Sequence, residues 1–172
     1  MPFTHVSPVR IRLGSPLCIR LFTLKLDLMK VKMTSKQVGN ITEVQVLLDL
    51  MKLGYTVLQP YGDCNRYDLV VEINSKFYRV QCKAASACAN DQGAFKINCR
   101  STHKSGGKTI HHKYSKDEID YFATNYNGQS YLIPVEICGT DKKLRLIKPK
   151  NNADKNITYA KDYELEEVVK SL

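Results

Sequence analysis

The chain has 172 residues, 43% of them hydrophobic, which fits one ordinary soluble domain and excludes both wholesale disorder and a second large domain. With 26 Lys and Arg against 17 Asp and Glu the net charge is +9. This favours a polyanionic partner, while no apolar run approaches the roughly 20 residues of a membrane-spanning helix. The six cysteines form no Cys-x-x-Cys pair and lack the dense spacing of a secreted scaffold, so without a secretion signal they read as reduced thiols in a cytoplasm.

Residues 1–32 carry six basic residues, one acid and three prolines, and their apolar stretch from Leu17 to Leu24 is interrupted by Arg20. They read as an N-terminal extension, disordered or an upstream artefact, with a basic DNA-contacting arm as the alternative. The domain itself is expected over 33–150. It opens with a helix whose start is placed at Asn40-Ile-Thr-Glu43, a capping-box-like spacing. Val44, Leu47, Leu48 and Met51 follow at helical spacing, and Gly54 terminates the helix. Tyr55–Leu58 reads as a short strand, followed by the turn-rich Pro60-Tyr-Gly-Asp-Cys-Asn65. Tyr67–Ile73 and Phe77–Ala84, joined by Asn74-Ser75-Lys76, read as an antiparallel hairpin. Ala94–Cys99 is a further strand, and Arg100–Lys113 a Gly-, Ser- and Lys-rich loop made flexible by Gly106-Gly107. Ser115-Lys-Asp-Glu118 has the spacing of a full capping box and predicts a helix burying Ile119, Tyr121 and Phe122. Strands over Tyr131–Ile137 and Leu144–Ile147 complete the domain. Residues 151–172 form a tail, linker-like over Asn151–Asn156 and helical over Tyr163–Leu172. The order α-β-β-β-β-α-β-β-α predicts a mixed central sheet with helices packed on it, an α/β/α sandwich.

The chemistry concentrates in the hairpin. Asp68 opens one strand and Gln81-Cys-Lys83 lies thirteen residues further on, along its partner. Strand side chains alternate, so Gln81 and Lys83 share one face while Val80 and Cys82 take the other. With the turn at Asn74-Ser75-Lys76, a carboxylate, an amide and an ammonium meet at one sheet edge. The pattern of an acid, a β-turn and then acid-x-Lys resembles the PD-(D/E)XK nuclease superfamily. Asn40–Ala84, Phe95-Lys-Ile, Asp117-Glu-Ile-Asp-Tyr-Phe122 and Tyr131-Leu-Ile-Pro134 together look like its small group I intron-encoded homing endonucleases, of the cyanobacterial kind. The resemblance covers roughly Met33 to Lys148. It implies a restriction-endonuclease-like fold and gives Asp68 the place of the metal-binding acid, Lys83 that of the motif lysine, and Glu43 that of a helix acid beside the metal. Gln81 stands where the second acid is usual, and a neutral oxygen there shifts the charge required for Mg²⁺ toward Glu43. The Cys82 backbone carbonyl is implied as a further ligand, and Mn²⁺ is expected to substitute for Mg²⁺.

Between Lys76 and Lys116 the chain holds nine Lys or Arg against one acid, Asp91, together with three of the four histidines. Placed directly after the hairpin, this window reads as the footprint for phosphates, with Asn90, Gln92, Lys96, Asn98, Arg100, Lys104, Lys108, His111, His112 and Lys113 as the DNA-contacting set. A zinc site from Cys82, Cys88, Cys99 and His103 is the competing use of this window, but the spacing matches no common finger or ribbon. The function expected is site-specific cleavage of double-stranded DNA with Mg²⁺, by a homodimer or a dimer of dimers, since cutting two strands needs two sites. A Holliday-junction resolvase and a catalytically silent DNA-binding protein are the alternatives. No organic cofactor and no membrane partner are expected.

Overall fold

The computed structural model describes residues 32–62, 64–89, 91–148 and 157–172, and of Gln92, His103 and Lys104 the backbone alone. The expected N-terminal extension up to residue 31, Asn90 and the Asn151–Asn156 linker lie outside the described residues. Helix α1, Ser35–Lys52, begins earlier than the sequence suggests, because Thr34 and Gln37 form the capping box. The Thr34 hydroxyl accepts from the Gln37 N–H at 3.3 Å and Gln37 Oε1 accepts from the Thr34 N–H at 2.8 Å. Thr-x-x-Gln is the better box, and Thr42 is instead buried inside the helix, its hydroxyl donating to the Val38 carbonyl at 2.9 Å. The helix ends as expected at Gly54, at φ +86°, with Tyr55 N–H reaching back to the Leu50 carbonyl and Gly54 N–H to that of Met51.

The central sheet has five strands in the order β1 (Thr56–Leu58), β2 (Leu69–Ile73), β3 (Lys76–Cys82), β8 (Tyr121–Tyr126), β9 (Gln129–Pro134). All pairs are antiparallel except β3 with β8, which makes the sheet mixed. The β2–β3 hairpin turns on Asn74 and Ser75, both at positive φ, a two-residue turn whose twist matches the strands. A three-stranded sheet is built from β4 (Ala85–Cys88), β5 (Asp91–Asn98) and β10 (Asp141–Arg145), with β5 in the middle.

Two sequence expectations are corrected here. Arg100–Lys113 is not a loop: β6 (Arg100–Ser105) and β7 (Lys108–Lys113) form an antiparallel ribbon closed at Gly106-Gly107. Both glycines have positive φ, so the pair that suggested flexibility is the turn itself. The helix expected from Ser115 is also absent. Its box half-forms, Ser115 N–H donating to Glu118 Oε2 at 2.9 Å, and after one turn the chain enters strand β8. Arg79 on β3 decides this. Its backbone N–H and Nε donate to Asp120 Oδ2 at 2.8 and 3.1 Å, and Asp120 N–H donates back to the Arg79 carbonyl at 2.9 Å. That fork draws the segment alongside β3, where parallel pairing replaces the helical ladder.

Side chains on the two faces of the central sheet enter different cores. On one face Val71, Val80, Cys82, Ala123 and Leu132 pack with Val46 and Leu50 of α1 and with Leu165 and Val169 of the terminal helix α2 (Leu165–Lys170). On the other, Phe122, Tyr131 and Ile133 pack with Phe95, Ile97 and Leu144 of the three-stranded sheet. The result is a restriction-endonuclease-like α/β fold, with helices on one side of its mixed sheet and the small sheet on the other. Among the described residues no helix is long and apolar enough to cross a membrane.

Candidate active site

Asp68 sits one residue before β2 and Gln81 next to the end of β3, so the hairpin register sets their approach. Asp68 N–H donates to the Val80 carbonyl at 2.9 Å, and Cys82 N–H donates to Asp68 Oδ2 at 2.7 Å. The Gln81 side chain donates its amide to Asp68 Oδ2 and, at 3.2 Å, to the Cys82 carbonyl. Val80 and Cys82 face the helix-side core, so Gln81 and Lys83 take the opposite face, as the alternation requires. There Tyr114 joins them, its hydroxyl donating to Gln81 Oε1 and accepting from Lys83 Nζ, each at 3.3 Å.

Glu43, on α1, and Asp68 line one cleft of about 410 Å³ together with Gln59, Pro60, Gly62, Asn65 and Tyr67. Glu43 accepts a hydrogen bond from Gln59 Nε2 at 3.2 Å. Burial pushes the Asp68 carboxyl above the ordinary aspartate range, and the negative charge of Glu43 adds to it. The Cys82 N–H, Lys83 and Gln81 oppose the shift without cancelling it. Burial, reinforced by Asp68 and Glu43, pushes the Cys82 thiol well up, so this cysteine is a protonated core side chain.

The sequence profile of the PD-(D/E)XK endonuclease family matches residues 33–166. The chain belongs to the PD-(D/E)XK endonuclease family. Among solved structures, a bacterial homing endonuclease, I-Ssp6803I, is similar to it with a TM-score of 0.65 and 19% sequence identity, over 81% of this chain and 95% of that one. No curated protein matches the sequence.

Nucleases of the PD-(D/E)XK family bind DNA and generally use divalent metals, and the residues present fit such an ion. Two carboxylates face one polar cleft, and the Gln81 NH₂ bridges Asp68 Oδ2 and the Cys82 carbonyl, placing partial positive charge between two oxygens. The donors are hard oxygens, as Mg²⁺ and Mn²⁺ prefer. The competing zinc set does not assemble, because Cys82 and Cys99 belong to cores on opposite faces of the central sheet.

The basic window of this PD-(D/E)XK chain is divided by the fold. Lys96 and Asn98 are exposed on β5, alternating with buried Phe95, Ile97 and Cys99. On the ribbon, Lys108, His111 and Lys113 are exposed and Arg100 half-buried. Arg100 pairs with Lys113 and Thr102 with His111, on one ribbon face, while Ser101 and His112 pair on the other. The lone acid of the window, Asp91, is held below the ordinary carboxylate range by Lys143, whose Nζ lies 2.7 Å away, and by Arg145. Two residues at the site were missed in the sequence, Tyr114 and Arg66. Tyr114 lies 33 residues from Gln81, and no local spacing announces the contact.

Proposed function

We propose that this protein is a Mg²⁺-dependent endonuclease that makes site-specific double-strand breaks in DNA, of the intron-homing type, with Mn²⁺ able to substitute. The observation that carries the reading is that Asp68, which lines an open cleft with Glu43, is also bound by the Gln81 amide, itself joined to Lys83 through the Tyr114 hydroxyl. The likeness to a homing endonuclease supports the choice of DNA substrate and of homing over other nuclease tasks. Asp68, Glu43, the Cys82 carbonyl and the Gln81 amide oxygen, turned toward the cleft, would hold the cation. When bound it polarises the scissile phosphate and acidifies its water. Lys83 contributes a fixed positive charge that orients the attacking water and offsets the charge growing on the phosphate oxygens. The exposed cations of β5 and the ribbon, with Gln92, Lys104 and Asn90, take the duplex backbone and base edges.

One cleft per chain cuts one strand, so a double-strand break calls for a symmetric homodimer or a dimer of dimers. A surface suited to self-association runs along α1. Ile41, Val44, Leu48 and Met51 follow at 3-4-3 spacing and are 54, 62, 43 and 58% exposed.

The test is incubation of the purified protein with Mg²⁺ and either linear duplex or a four-way junction. Defined cuts in duplex, reduced about 10²- to 10⁴-fold in Asp68→Ala and Lys83→Ala, are expected. Cutting confined to junctions would replace homing with resolution, and binding without cleavage at any metal concentration would remove the enzyme reading.

A further inference from the structure

We propose that Tyr114 is a positioning residue of the candidate site, its hydroxyl setting the Gln81 amide and the Lys83 ammonium together, and that Arg66 ties this arrangement to the β6–β7 ribbon. The inference rests on the reading of the cleft given under Proposed function and adds to it two residues that do not touch the reacting phosphate.

A tyrosine hydroxyl has one proton to give and two lone pairs to receive. Here it gives its proton to Gln81 Oε1 and receives from Lys83 Nζ, so a single oxygen links the neutral and the cationic member of the motif. The other end of the Gln81 amide is fully used, on Asp68 Oδ2 and the Cys82 carbonyl. For Gln81 to offer an oxygen to a cation, its amide must turn over, and its NH₂ then needs an acceptor. The Tyr114 oxygen can be that acceptor, so the same hydroxyl serves both orientations. Phenylalanine serves neither.

The ring is fixed from two sides. It meets Phe122 edge-on at 5.2 Å, and the Arg66 guanidinium lies over it at 4.0 Å. Lys83 Nζ lies 5.1 Å from the same ring centroid. Arg66 is itself held through all three guanidinium nitrogens, with Nε donating to Glu118 at 2.9 Å, Nη1 to the Ser101 hydroxyl at 2.8 Å and Nη2 to His112 Nδ1 at 2.7 Å. Ser101 and His112 are opposite partners across the ribbon. A continuous set of contacts therefore runs from the inner face of the ribbon through Arg66 and Tyr114 to Gln81 and Lys83. DNA seated on the ribbon would act on the cleft through this set.

Tyr114→Phe removes only the hydroxyl and keeps the ring for Arg66 and Phe122. The expected result is a folded protein, by its melting curve, with the KM for duplex DNA unchanged and kcat lowered about 10- to 100-fold, the usual effect of removing an outer-shell partner. Calorimetric titration of Mn²⁺ into the DNA-free variant is expected to show affinity about 10-fold weaker than wild type. Arg66→Lys, which leaves the hydroxyl but loses the three-way guanidinium fork, is expected to lower kcat about 3- to 10-fold by the same route. Wild-type kcat and metal affinity in folded Tyr114→Phe overturn the proposal, as does a rise in KM alone, which would make Tyr114 a DNA contact. If Tyr114→Phe does not fold, Arg66→Lys becomes the deciding variant, and wild-type kcat there overturns the proposal. If the wild type cuts no DNA, the nuclease reading is lost, and the calorimetric comparison still decides whether Tyr114 sets the metal ligands.

Discussion

Asp68 carries a cost in the folded state. Burial is the largest influence on its carboxyl and the charge of Glu43 adds to it, leaving the folded-state pKa above the ordinary aspartate value. Such a group penalises the folded state wherever the pH ionises it. The penalty is absent below the pKa of the unfolded chain, grows as pH rises toward the folded-state value, and is complete above it. Asp68→Asn, which keeps an acceptor for the Cys82 N–H, is therefore expected to melt above wild type at pH 7 without divalent metal. The advantage should disappear at acid pH, where both proteins carry a neutral side chain. Differential scanning calorimetry at the two pH values checks this, and a variant no more stable at pH 7 would show that the carboxylate is well solvated. A bound cation should reverse the order by stabilising the wild type alone.

At the scale of elements, the hairpin that sets the site is turned by a residue under strain. Ser75 lies at φ +62°, in the left-handed region that glycine occupies freely. Ser75→Gly gives the preferred Asn-Gly turn and is expected to raise stability by about 0.5–1 kcal/mol with cleavage retained. The urea midpoint reads this directly, and a lower midpoint would mean that glycine's added freedom in the unfolded chain outweighs the strain relieved. The same turn chemistry explains what was legible elsewhere. Asn74-Ser75 between two apolar runs marked the β2–β3 hairpin. Gly106-Gly107 and Asn127-Gly128 carry equally strong hairpin signals, with positive φ at every position, yet Lys- and Ser-rich flanks disguised the first. The Ser115–Glu118 box disguised the strand leading to the second. A capping box stabilises one turn of helix by its own hydrogen bonds, whereas the Arg79–Asp120 fork and the burial of Phe122 favour the strand.

For the whole molecule, both faces of the central sheet carry a core, and the candidate site draws on both: Glu43 comes from helix-side α1, while Gln81, Lys83 and Tyr114 stand on the face of the small sheet. The exposed apolar stripe on α1 lies outside both cores, flanked by the uncharged Asn40, Gln45 and Leu47 and by Lys52, which is paired with Asp49. Leu48→Lys is expected to convert an oligomer to monomer, because two facing stripes would bring the lysines together in an apolar seam. Light scattering of both proteins at the same concentration tests this, and an unchanged mass would move the interface elsewhere. Loss of double-strand breaks with retention of nicking is the matching outcome in a cleavage assay.

The sequence by itself determined the hairpin, its alternation and the grouping of Asp68, Gln81 and Lys83, because strand period and turn residues are local properties that thirteen residues can encode. It also determined the basic window, since charge is additive along the chain. Only the tertiary structure decided that the window is a ribbon, that Ser115–Phe122 enters a parallel strand, and that Tyr114 and Arg66 stand beside the motif. The last two depend on contacts between residues 31 to 52 positions apart. Such pairings are set by which packed arrangement buries the most apolar surface with its polar groups satisfied, a quantity that no single segment contains.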